Sequence, residues 1–123
     1  MLTEETKNKY LELCMQTNVD LLDYKIHNKS MKALAKIHND VFLNFKEESS
    51  LFLKSLLNND EVRIRMSSAA KLLGLNLYTK EAIKTLNAIV KMYSGNKDEH
   101  LRMIAFNSEM TVEVWKKQGY LKF

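Results

Sequence analysis

The residues of this chain that could do chemistry are two histidines in one stripe, a lone cysteine, paired serines and paired carboxylates. His27 and His38 are 11 residues apart. On one helix that is about three turns, or roughly 16 Å along the axis, so a single metal ion cannot take both. Glu12 or Asp23 could complete a site with one of them, but nothing in the sequence brings either there. The two histidines are therefore expected to be partly buried with their hydrogen bonds satisfied. A pH-sensitive contact is the functional use open to them. His100 falls in the first turn of the last helix and is expected to be exposed. Cys14 is the only cysteine, which excludes an intrachain disulfide and a thiolate metal cluster, and it is expected in the core. Ser49-Ser50 and Ser67-Ser68 belong to no Gly-x-Ser-x-Gly elbow, and no glycine-rich phosphate loop is present. The pairs Glu4-Glu5, Glu47-Glu48 and Asp98-Glu99 fall at expected helix starts, where the helix dipole accounts for them. No catalytic residue, metal ligand or cofactor is assigned, and the chain is expected not to be an enzyme.

The elements that must position these residues are helices. Proline is absent, so no residue forbids helix by lacking a backbone donor. Gly74, Gly95 and Gly119 each follow an apolar-periodic stretch, where a helix would end. A first helix is expected over 3–17, capped by Thr3, with Leu11, Cys14 and Met15 inward. After a break at 18–20, a long helix is expected over 20–45, with positions 24, 27, 31, 34, 38, 41 and 45 on one stripe. Glu47 to Ser50 reads as a polar connection, followed by a short helix bearing Leu51 to Leu57. Asn59 or Asp60 is expected to cap the next helix, which turns Val62, Met66, Ala69 and Leu73 inward and Arg63, Ser67 and Lys71 outward, and stops at Gly74. Thr79 is expected to cap a helix ending at Gly95. The last helix, 97–117, carries two apolar stripes. Leu101, Ile104, Ala105, Val112 and Trp115 form one; Met103, Phe106, Met110 and Val114 form the other. The apolar tail Tyr120-Leu121-Phe123 is expected to fold back over the second stripe. Left uncovered, that stripe would be an interface or a weak homodimer contact.

At 123 residues the chain suits one domain, 1–123, with an N-terminal cap over 1–46 and helix pairs over 50–119. Its net charge of +4 comes mostly from lysines spread along helix faces, with no block of like charge. This permits nucleic-acid binding without indicating it. The start, Met1-Leu2-Thr3-Glu4-Glu5, is acidic and lacks an apolar signal core. No apolar run approaches the roughly 20 residues of a bilayer span. A cytoplasmic, non-membrane protein is expected.

There is an internal echo: Ile64-Arg65-Met66 and Leu101-Arg102-Met103 sit 37 residues apart, with Glu61 and Asp98 four positions before each arginine. The echo is expected to be two i,i+4 ion pairs marking a repeated helical unit. A period near 40 with paired helices suits a HEAT- or armadillo-like stack. Asp60-Glu61-Val62-Arg63 followed by Ala69-Ala70-Lys71-Leu72-Leu73 resembles the second helix of a HEAT repeat. The stretch Phe106 to Gly119, with its glutamate-methionine-threonine, tryptophan and glycine, resembles the closing helix of a small bacterial family known as domain of unknown function twenty-nineteen. The resemblance covers Leu51 to Gly119 and implies an all-α, right-handed stack of five or six antiparallel helices. It carries over no catalytic residue. Some relatives of this type look like immunity proteins encoded beside secreted toxins.

The expected function is thus a non-catalytic protein-interaction module, in one version a toxin-immunity protein. A nucleic-acid-binding HEAT-like protein with a basic face is the alternative. Arg63, Lys71, His27, His38, Met103, Phe106 and Met110 are the candidate partner-binding residues.

Overall fold

In the computed structural model the described residues are 1–17 and 24–123, those of Tyr24 through the backbone alone. The expected break at 18–20 and the candidate ligand Asp23 lie outside them. The described residues hold six α-helices and no strand: α1 (Glu4–Gln16), α2 (Tyr24–Ile37), α3 (Lys46–Ser55), α4 (Val62–Leu75), α5 (Thr79–Tyr93) and α6 (Glu99–Gln118). The all-helical expectation stands.

Helix α1 starts where Thr3 accepts a hydrogen bond from the Thr6 N–H. Its inward face is Tyr10, Leu13 and Cys14, whereas Met15 is exposed. Tyr10, Leu13, Cys14 and Thr17 are spaced three, one and three apart, which is one helical stripe. Helix α2 is shorter than expected. From His38 to Phe42 the backbone widens into a π turn, closed by the Leu43 N–H donating to the His38 carbonyl at 2.9 Å. The extra residue rotates the stripe. Phe42 becomes fully buried, while Val41 is half-buried and Phe45 is exposed at the start of α3. Glu47 to Ser50 is the first turn of α3 rather than a connection, with both serines buried. A 3-10 turn, Leu56–Asn58, follows.

Helix α4 is the hub and packs against α1, α3, α5 and α6. Its start is capped by Glu61, not by Asn59 or Asp60. The Glu61 carboxylate accepts from the Arg63 N–H, and the Asn59 side-chain oxygen accepts from the Glu61 N–H at 2.9 Å. Gly74 does not end the helix; Asn76 does, in the left-handed region at φ 58°. Tyr78 has φ 50° and precedes α5, so Thr79 is the first helical residue and not its cap. Two left-handed residues, Asn76 and Tyr78, two positions apart, turn the chain from α4 into α5.

The 37-residue echo is a repeated hydrogen-bond motif. At the start of α6, Asn96 accepts from the Asp98 N–H at 2.8 Å, and Asp98 accepts from the His100 and Leu101 N–H groups. Arg65 donates to the Asn59 and Asp60 carbonyls at 2.8 and 3.0 Å. Arg102 donates to the Asn96 and Lys97 carbonyls at 2.9 and 3.1 Å. The two arginines therefore do not form the expected i,i+4 ion pairs; each clamps the turn that leads into its own helix. Glu61 instead pairs with Arg63 at 2.9 Å.

Candidate functional site

Helices α2, α4 and α6 line a groove of about 440 Å³. Its buried members are Thr17, just after α1, Leu34 of α2 and Lys71 of α4, with Met66, Ser67 and Ala70 half-buried beside them. Met31 of α2 and Met110 and Val114 of α6 stand at its more exposed margins. Those last two belong to the second stripe of α6, so half of that stripe faces a cleft. The other half does not: Phe106 is 62% exposed on the outer surface, and Met103 is half-buried away from the groove.

The tail does not lie along the second stripe of α6 as expected. After Gly119 turns the chain at φ 80°, Leu121 and Phe123 reach one end of the groove. The Phe123 carbonyl accepts from the Asn39 side-chain amide at 2.8 Å, and its ring meets that of His38 edge-on at 4.7 Å. Gly74 makes this approach possible. A Cβ there would lie 2.6 Å from the Phe123 ring and 2.8 Å from His38 Cε1, well inside van der Waals contact. The glycine serves close packing, not helix termination.

Lys71 is the main departure from expectation. Placed outward by periodicity, it is only 3% exposed. Its ammonium lies 3.6 Å from the Phe123 ring centroid, a cation-π contact. Among the described residues no carboxylate forms an ion pair with it. Burial pulls the Lys71 ammonium down to about 8, with the neighbouring Cys14 opposing the shift. The outward assignment fails because α4 has neighbours on several sides, so more than one of its faces is covered.

Its neighbours are held neutral. His38 is 1% exposed, and burial together with the nearby Lys71 charge lowers it to about 4. Its Nδ1 has no hydrogen-bond partner, contrary to the expectation of a satisfied histidine. Burial pushes the Cys14 thiol up, against hydrogen bonding from Ser67. A thiol held protonated is a poor nucleophile. Tyr10 is driven up by burial as well, and its hydroxyl lies 2.8 Å from Ser67 Oγ and 3.2 Å from Ser68 Oγ. The Ser67-Ser68 pair thus serves a buried tyrosine.

Of the candidate residues, His27, Lys71 and Met110 line the groove, and His38 lies behind its closed end against Phe123. Arg63 is occupied within the fold, bonded to Glu61 and donating to the Met15 carbonyl at 2.9 Å. His100 is half-buried with Nδ1 enclosed and unpartnered, not exposed as expected. Met66, Val114 and Phe123 are groove residues outside the candidate set, although periodicity put Met66 on the inward face of α4 and Val114 on the second stripe of α6. The tail's apolar composition was the available signal for Phe123.

Among the described residues no group of His, Cys, Asp and Glu is placed to hold a metal ion, and no helix is long and apolar enough to cross a membrane. No family model, curated protein or solved structure matches the chain.

Proposed function

We propose that this chain is a non-catalytic interaction module, a HEAT-like stack that holds an apolar segment of a partner protein in the groove between α2, α4 and α6. The observation that carries the reading is the groove's lining: three helices each contribute a methionine, Met31, Met66 and Met110, around one cleft. Unbranched thioether side chains adapt to different apolar surfaces, which suits a protein-binding face. The duplicated Asn-acid-Arg clamp at a 37-residue spacing supports the HEAT-like reading, because repeat proteins reuse one local structure at a fixed period. The resemblance to domain of unknown function twenty-nineteen is kept on the same footing, and with it the immunity version, in which the partner is a toxin encoded beside this chain.

A photo-reactive residue at Met110 tests the reading inside the cell. The expected result is one dominant protein adduct that disappears when Ala70→Trp fills the groove and is absent with the probe at Met92. Equal adducts from both positions, or none, would count against the groove. For the immunity version, co-expression with the neighbouring toxin should give a complex that Ala70→Trp breaks. The nucleic-acid alternative would use Lys54, Arg65 and Lys84, which line a second cleft between α3, α4 and α5. Arg65 is already engaged by carbonyls and Glu81 sits in the same cleft, so that face is the weaker candidate. Duplex DNA titrated at low salt, with binding that weakens steeply as salt is added, would favour it.

A further inference from the structure

We propose that Lys71 makes the inner end of the groove a binding site for a small amphiphilic carboxylate, a molecule with one carboxylate on an extended apolar body. An ammonium taken out of water needs an anionic or strongly hydrogen-bonding partner. Among the described residues Lys71 forms no ion pair, and the Phe123 ring is the group that covers its ammonium. The titratable groups packed around it cannot supply the charge. Cys14 from α1 is held protonated, and His38 from the π turn is neutral. Tyr10, which shares Ser67 with Cys14, is driven toward its neutral form too.

The rest of the site sets the ligand's shape. Beyond Lys71 the groove is apolar through Leu34, Ala70, Met66, Met110 and Val114. At about 440 Å³ it lies in the range of small-molecule sites. Its other polar members are Thr17, His27, Ser67, Asn107 and Thr111, and the Thr111 hydroxyl donates to the Asn107 carbonyl at 2.7 Å. The Thr17 hydroxyl donates to the Cys14 carbonyl at 2.8 Å. Ser67 is engaged by the Tyr10 hydroxyl at 2.8 Å and by the Cys14 thiol. The one buried lysine of the lining matches a single carboxylate. A neutral alcohol would leave the Lys71 charge uncompensated. The inference goes beyond the partner-segment reading, because it concerns a small molecule and is decided on the purified chain alone.

Calorimetric titration of the chain at pH 7 with decanoate, decan-1-ol and N-acetylglutamate amide tests it. Decanoate is expected to bind one to one, at least about tenfold more tightly than decanol, and acetylglutamate amide to give no binding. Lys71→Met should lose the decanoate preference while still taking decanol, and Lys84→Met should bind as the parent does. Absence of decanoate binding, equal affinity for decanoate and decanol, or tight binding of acetylglutamate amide would each overturn the proposal. The comparison of ligands on the unaltered chain decides the matter even if Lys71→Met fails to fold.

Discussion

Two buried bases, Lys71 and His38, set the chemistry of this molecule at the scale of single residues, and each has a consequence for stability. His38 titrates near 4 in the folded chain and near 6.5 when unfolded. Between those values the unfolded chain takes up a proton that the folded chain refuses, so stability is full above pH 6.5 and falls as the solution is acidified. The slope approaches roughly 1.4 kcal/mol per pH unit. Denaturant unfolding between pH 6.5 and 5, above the range of most carboxylates, should show this loss, and His38→Leu should flatten it. A parent chain with no slope in that window would remove the buried neutral histidine from the account. Lys71 is depressed in the same sense, so its charge is a cost to the fold at neutral pH. Lys71→Met should raise the unfolding free energy at pH 7 by roughly 2 kcal/mol, read from thermal or urea unfolding. A fall would mean that the ammonium is paired more strongly than the Phe123 ring allows.

At the scale of elements, the duplicated clamp is the most informative feature. The sequence echo at Arg65 and Arg102 was legible, but its chemistry was not. Position alone suggested ion pairs with Glu61 and Asp98, whereas the carbonyls of the preceding turns lie within the guanidinium's reach and the acids are taken up by helix N–H groups. Arg65→Met should cost about 1 kcal/mol, measured by urea unfolding, and Arg102→Met less because that side chain is more exposed. Equal and negligible losses would make the clamp incidental. Helix existence was readable from periodicity because each helix buries at least one stripe. Helix ends were read less well. Asn76 ends α4 where Gly74 was expected to, Tyr78 precedes α5 where Thr79 was expected as the cap, and one extra residue in the π turn moved Phe42, not Phe45, into the core. Side-chain placement on α4 was the least legible of all, because a helix surrounded by several others has no single outward face. Periodicity therefore sent Lys71 to solvent, although it lies in the groove.

For the whole molecule, α2, α4, α6 and the tail line the groove, and at Gly74 the Phe123 ring and His38 come up against the α4 backbone. Gly74→Ala should push Phe123 away from His38 and Lys71, with a net loss of about 1 kcal/mol or more despite alanine's better helix propensity. Loss of the ring-current shift on Lys71 side-chain protons would report that displacement, and an unchanged spectrum would contradict it. The central claim is that Lys71, which is buried and has no ion pair among the described residues, faces an apolar groove. NMR titration of the Lys71 Cε and Nζ signals, assigned by their absence in Lys71→Met, tests it most directly. The account predicts a midpoint near 8 in the free chain, moving upward when decanoate is bound. A midpoint at the ordinary lysine value of 10.5, unmoved by decanoate, would contradict it.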